Sequence, residues 1–413
     1  MASGIASSQV LAQLLLALAA ILLTVRLIAP LFGWIGQPPV MGEIVAGIAL
    51  GPSILGAVWP QAGAFVLPPE ILPHLGVVSQ IGVILFMFCV GVELDTSQLR
   101  GRARSAIAIS NASVIVPFLS GVALAVPLHP LLAPGGVPFT VFALFLGTAM
   151  SVTAFPVLAR ILKDQRMTET ALGATALTCA AVDDVTAWCL LAVAVGVADH
   201  EARGPLLTIG LTVGYLVVMV TVVRPVARAV ARRTDGALTG PATVSWILLA
   251  VVASALVTEW IGIHPIFGAF VLGALFPHDS ALAREVKARI ETLVTVLFLP
   301  VFFAYSGLRT RFGLIHGTDE WLLCIAIILV ASIGKFAGSY GAGRLTGMTS
   351  REAATIGVLL NTRGLVELIV LNVGLDLGVI SPTLFTMLVL MALATTLAAT
   401  PLLRLLARPA AAR

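Results

Sequence analysis

Two aspartates, Asp183 and Asp184, sit side by side inside an apolar stretch that runs from about Thr170 to Val197. That stretch is long enough to cross a bilayer, which takes roughly 20 residues. A carboxylate near the bilayer centre costs at least about 2.5–3.5 kcal/mol on insertion scales, so an adjacent pair points to a function. Neighbours on a helix point about 100° apart, so one carboxylate can meet a partner while the other faces a cavity. The expected partner is Lys335, the only lysine deep in an apolar stretch. Carboxylate oxygens suit hard, weakly held cations. A carboxyl is equally a proton site: desolvation favours its neutral form, and a nearby ammonium favours its charged form. A site that takes a proton or a metal cation, but not both, is sufficient to exchange one for the other. The competing reading is a buried ion pair that only fixes helix packing, for which a single aspartate would do.

Other polar residues lie at equally unusual depths. Arg363 and Glu367 are spaced i and i+4. They read first as a local pair, or as Arg363 capping loosened carbonyls, and second as part of an ion path or gate. Thr153, Ser151 and Asn361 are candidates to supply oxygens to a cation beside the aspartates. Glu43 and His264 near helix breaks, and Glu93 and Asp95 near the end of a span, read as orienting or mouth residues. The four cysteines, Cys89, Cys179, Cys189 and Cys324, fall in apolar stretches and read as buried, unpaired thiols. No His/Cys cluster has metal-ligand spacing. No cofactor is expected, and nothing points to an enzyme.

The elements that must position these groups are membrane spans. The chain has 413 residues, of which 59% are hydrophobic and only 11% charged, against about 25% charged in soluble domains. An all-α polytopic membrane protein is therefore expected, multi-pass in the plasma membrane. Hydropathy suggests about thirteen spans, near 10–31, 38–55, 75–94, 105–128, 140–162, 168–197, 207–224, 241–259, 261–276, 288–306, 320–343, 351–374 and 381–406. The first reads as a retained helix, not a signal peptide. Alternate loops carry Arg100, Arg102, Arg104; Arg160, Lys163, Arg166; Arg224, Arg228, Arg232, Arg233; Arg284, Lys287, Arg289; Arg344, Arg351; and Arg404, Arg408, Arg413. The opposite loops hold only Arg203, Arg309 and Arg311. The positive-inside rule makes the first side cytoplasmic, so the N-terminus is expected outside and the C-terminus inside, with no soluble domain after the last span. The net charge of +4 belongs to these loops and does not suggest nucleic acid.

Two spans carry polar residues and a helix breaker at mid-membrane. The fifth reads Thr148-Ala-Met-Ser-Val-Thr-Ala-Phe-Pro156, and the twelfth reads Asn361-Thr-Arg-Gly-Leu-Val-Glu367. Pro156 lacks a backbone donor and Gly364 tolerates unwinding. The two are seven spans apart, so they cross in opposite senses. That is the pattern of an inverted repeat, spans one to six against eight to thirteen, with the seventh as linker. Broken helices at matching positions mark a transporter's midplane site.

Several motifs together carry a resemblance. These are Gln37-Pro-Pro-Val-Met-Gly-Glu-Ile-Val-Ala-Gly-Ile-Ala-Leu-Gly-Pro-Ser53, Gly91-Val-Glu-Leu-Asp95, Ser151-Val-Thr-Ala-Phe-Pro-Val-Leu-Ala-Arg160, the aspartate pair, Lys335 and Asn361-Thr-Arg-Gly-Leu-Val-Glu-Leu368. In this order, over nearly the whole chain, they resemble the monovalent cation:proton antiporter-2 family of the cation/proton antiporter superfamily. The resemblance implies a homodimer whose protomers have a panel (1–100 and 236–312), a linker helix (201–235) and a core (101–200 and 313–413) with crossed, discontinuous helices. The core would move like an elevator past the panel. It also implies that Asp184 is the principal ion and proton site, that Asp183 pairs with Lys335, and that Glu367 lies near the ion path. Glutathione-gated potassium efflux members have Gln-Asp in place of Asp-Asp and an added nucleotide-binding domain. This chain looks more like bacterial sodium/proton members with paired aspartates, whose exchange is typically electrogenic. The expected activity is exchange of Na⁺ (or Li⁺, or K⁺) for H⁺, with Na⁺ carried at Asp184 as cargo. A K⁺/H⁺ exchanger, a proton-driven exporter of an organic cation or ionophore, and a non-transporting ion sensor are the alternatives.

Overall fold

The computed structural model describes residues 7–93, 103–167, 170–198, 205–234, 240–277 and 280–407. Asp95, Arg100, Arg102, Arg203, Arg408 and Arg413 lie outside the described residues. No strand occurs among those described. The longer helices, in order, are α1 (Ser7–Trp34), α2 (Pro39–Leu50), α3 (Leu72–Glu93), α4 (Ala103–Leu132), α5 (Phe139–Ser151), α6 (Phe155–Asp164), α7 (Ala171–Ala198), α8 (Pro205–Val218) and α9 (Arg224–Thr234), with two short helices, Leu55–Val58 and Pro60–Val66, between α2 and α3. They continue with α10 (Pro241–Ile261), α11 (Pro265–Leu275), α12 (Ala281–Leu293), α13 (Leu299–Leu308), α14 (Gly317–Leu345), α15 (Ser350–Leu360), α16 (Leu365–Asp376) and α17 (Pro382–Ala407).

Among the described residues 11 helical stretches are long and apolar enough to cross a membrane, or up to 12 if α15 and α16, bent by 43°, count as one span. The expected ninth span is α11, only 11 residues long. α11 is a shorter apolar helix at the place of that expected span. It follows α10 after a left-handed Gly262 (φ 93°), and the His264 side chain caps its start by accepting the Ile266 N–H. Leu23, Leu27, Trp246 and Leu249 are exposed, the outward apolar surface that a bundle presents to lipid.

Prolines shape the long helices. Met219–Val223 and Val294–Phe298 are π-helical, and Pro225 and Pro300 follow shortly after. Proline offers no N–H to the carbonyl four residues earlier and its ring crowds it, so the ladder slips to the wider π spacing. Pro117 acts differently inside α4. It strips the Ser113 carbonyl of its helical donor, and a side chain from another helix takes that carbonyl instead, as shown below.

The chain divides into two compact units. The first comprises Met1–Pro69, Leu99–Leu191 and Phe303–Arg413. In it α4 packs on α5 and α14, α14 on α15, and α17 on α14, α15 and α16. Gly334 and Gly338 bring α14 onto α4: a Cβ at Gly338 would lie 2.5 Å from the Ala112 carbonyl oxygen. The sequence also suggests Ala337 and Gly341 for this contact. Ala337 is exposed instead, and a Cβ at Gly341 would meet nothing within 4 Å. Arg309 ties the far end of α16, pairing with Asp376 at 2.6 Å and donating to Asn372 Oδ1 at 3.0 Å. The second unit comprises Glu70–Gln98 and Ala192–Phe302, with α3 packed closely on α11. There Lys287 pairs with Glu93, and the Tyr215 and Ser254 hydroxyls are hydrogen-bonded at 2.8 Å. Cys189 is exposed on α7, contrary to the expectation of four buried thiols; the other three are buried.

Candidate functional site

α5 stops at Ser151, Val152–Ala154 run extended, and α6 begins at Phe155 with Pro156 in its first turn. Pro is favoured at that position because the first N–H groups of a helix have no intrahelical partner. The last four carbonyls of a helix are equally orphaned. In α5 each finds a side-chain donor. Ser151 Oγ donates to the Thr148 carbonyl at 2.8 Å. The Arg363 guanidinium donates to Ala149 and Met150, both at 2.8 Å. Lys335 Nζ donates to the Ser151 carbonyl at 2.6 Å. Cations at the negative end of a helix also match its dipole.

The second interruption, Asn361–Gly364, separates α15 from α16. The Ala154 N–H donates to the Thr362 carbonyl at 3.0 Å, joining the two breaks backbone to backbone. Thr362 Oγ1 donates to the Leu359 carbonyl at 2.8 Å. Thr396 of α17 accepts the Arg363 N–H and donates to the Arg363 carbonyl, both at 2.8 Å. The unwound backbone is thus satisfied inside protein, as a membrane interior requires.

The two aspartates have unequal surroundings. Asp183 is fully buried. Its carboxylate accepts Ser110 Oγ and Ser113 Oγ at 2.6 Å each and Thr153 Oγ1 at 2.7 Å. Lys335 Nζ stands 3.3 Å from Asp183 Oδ2. The same ammonium donates to the Ser113 carbonyl at 2.7 Å, the one that Pro117 leaves free. With Ser151, these contacts use all three donors of the ammonium. Asp184 is also buried, with the Phe155 N–H at the start of α6 near its carboxylate, and its Oδ1 has no hydrogen-bond partner among the described residues. One carboxylate is saturated; the other keeps an open oxygen beside the positive end of a half-helix.

The remaining candidates divide as follows. Thr153 and Ser151 spend their single hydroxyl protons on Asp183 and the Thr148 carbonyl. Asn361 Oδ1 is buried without a partner. Arg363 and Glu367 form a fully buried pair at 3.2 Å, with Glu367 Oε2 unpartnered. No hydrogen bond joins Ser151, Asn361 or Glu367 to Asp184 among the described residues. Glu43 is half-buried and forms no hydrogen bond or ion pair with a described residue. Nothing in the sequence singles out Ser110 and Ser113, one helical turn apart. Their signal is weak, because serines in membrane helices usually bond their own backbone.

Two variants test this bonding. Arg363→Lys cannot reach both carbonyls and Glu367, since a lysine lacks the planar fork. It is expected to lower stability by about 1–3 kcal/mol, read from the thermal unfolding of purified protein. Pro117→Ala returns a backbone donor to the Ser113 carbonyl and takes an acceptor from Lys335. Exchange is expected to slow severalfold without loss of thermal stability, as measured by dye-reported flux in liposomes.

The chain matches the family described as "Sodium/hydrogen exchanger, transmembrane" over residues 18–408. It belongs to that family. Members are transporters, not enzymes, and the chain is a multi-pass cation/proton antiporter. It is 45% identical over 396 residues to the Na(+)/H(+) antiporter NhaS4 of Synechocystis sp., covering 94% of this chain and 96% of that one. It is 34% identical over 396 residues to the K(+)/H(+) antiporter 1 of Saccharomyces cerevisiae, covering 93% of this chain but 45% of the longer yeast protein. The fold is that of the sodium proton antiporter MjNhaP1 of Methanocaldococcus jannaschii, with a TM-score of 0.70 at 15% identity, covering 96% of this chain and 100% of that one.

Proposed function

We propose that the chain exchanges Na⁺ for H⁺ across the plasma membrane and that Asp184 holds one ion or the other. The observation that carries this reading is the contrast within the pair. Asp183 has every oxygen engaged, whereas Asp184 Oδ1 is an open, buried acceptor at the first turn of α6. A proton or a small cation satisfies that oxygen, and the two are rivals for it. Asp183 and Lys335 then serve as the braced wall of the site. Arg363 holds the break together, and Asn361 and Glu367 offer further acceptors along the path. The freed carbonyls of α5 are all held by side chains, so the two breaks form a stiff cradle that suits movement as a body. We therefore assign elevator-type alternating access to the core at 101–200 and 313–413, against a panel at 1–100 and 236–312 in a homodimer. The exchange is electrogenic.

The experiment is flux in proteoliposomes with Na⁺, Li⁺ and K⁺ offered in turn, with and without a valinomycin voltage clamp. Na⁺-driven proton movement that responds to the clamp is expected. K⁺ is the second reading, favoured by the yeast relative's name, and proton movement with K⁺ alone would replace Na⁺ by K⁺ as the substrate. No cation response in a sealed, folded preparation would sink both.

A further inference from the structure

Away from the aspartates, the loop between α1 and α2 meets the last turns of α17 around a cleft of ≈ 320 Å³ lined by Ile35, Gln37, Thr400, Pro401, Arg404 and Leu405. Three features give the cleft a definite chemistry. Arg404 is exposed there and makes no hydrogen bond or ion pair with any described residue. Its guanidinium lies against Gly36, whose φ of +74° suits glycine and where a Cβ would stand 2.5 Å from Arg404 Nη2. Gln37 turns its amide nitrogen to the Leu397 carbonyl at 3.0 Å, leaving Oε1 buried without a donor. The surroundings are apolar and exposed: Trp34, Ile35, Leu402 and Leu405.

An unspent guanidinium beside an orphan acceptor calls for a ligand that is anionic and also carries a donor. A guanidinium takes phosphate oxygens in pairs, and a hydroxyl would satisfy Gln37 Oε1. The exposed aliphatic side chains beside them call for hydrocarbon. We propose that this cleft binds the headgroup of an anionic phospholipid of the phosphatidylglycerol type. Its phosphate lies on Arg404, its glycerol hydroxyl on Gln37 Oε1, and its acyl chains run along Ile35 and Leu405. The bound lipid bridges the α1–α2 loop to α17 at the end of the molecule that the basic loops assign to the cytoplasmic leaflet, where anionic lipids attract arginine.

The test is native mass spectrometry of the purified full chain with phosphatidylglycerol, phosphatidylcholine or soluble glycerol phosphate, together with the thermal shift each produces. Wild-type protein is expected to retain phosphatidylglycerol in preference to phosphatidylcholine. Arg404→Ala should lose that preference by at least about tenfold, the size of one charge-assisted contact, while Arg228→Ala on α9 keeps it. Should Arg404→Ala fail to fold, a photoactivatable phosphatidylglycerol on the wild-type protein gives the same answer. Adducts at residues 34–37 and 400–406 support the site, and adducts only elsewhere overturn it. Equal retention of both lipids, an unchanged preference in Arg404→Ala, or full competition by glycerol phosphate also overturns it, the last by making the cleft a soluble-anion site.

Discussion

Asp184→Asn is expected to abolish cation-driven proton movement in proteoliposomes while the protein still folds. The amide matches the carboxylate in size and keeps an oxygen toward the start of α6. The charge that holds the cation is gone, and with it the group that would carry the proton. Two unit charges 4 Å apart attract by about 4 kcal/mol at an effective dielectric of 20, so the cation loses about a thousandfold in affinity. A Na⁺-driven pH signal of wild-type size in Asp184→Asn would remove Asp184 from the transport cycle.

Lys335→Ala is expected to damage the fold as well as the flux. It leaves the Asp183 carboxylate buried without a counter-charge and strips the Ser113 and Ser151 carbonyls of their donor. Removing one partner of a buried pair costs about 3–5 kcal/mol. The cost comes mainly from the stranded charge, so adding Asp183→Asn should return part of it. Four proteins in one thermal unfolding series, wild type, each single variant and the double, give the coupling directly. Strictly additive losses would mean that Lys335 and Asp183 do not act as a pair. Flux in the double variant separates the roles: Asp184 keeps its open oxygen, but the wall beside it has changed, so residual slow exchange is expected where Asp184→Asn shows none.

Much of this architecture can be read from residue types. Fixed prolines and glycines amid polar residues reveal where α5 and α15 stop, because Pro156 and Gly364 act on the backbone locally. Lys335 stands out because an ammonium in an apolar span needs a partner. What stays hidden depends on distance in space. Which hydroxyls surround Asp183 is settled by the approach of α4, and Ser110 and Ser113 look like any serines in a membrane helix. The division of labour within the pair does not follow from residue types alone; the family resemblance assigns Asp183 to Lys335, and the structure shows that contact. Pro117 is the instructive case. The rule that proline frees the carbonyl four residues earlier points straight to Ser113, yet only the packing of α14 through Gly334 and Gly338 shows that Lys335 collects it.

Calorimetry of Na⁺ binding to the purified protein, run in two buffers of different ionisation enthalpy, asks most directly whether the metal ion displaces a proton. The heat should change with the buffer, reporting a proton released as each cation binds. Apparent affinity should fall as the solution is made more acidic, and both signals should vanish in Asp184→Asn. A binding heat indifferent to the buffer, or one that persists unchanged in that variant, would contradict a shared site.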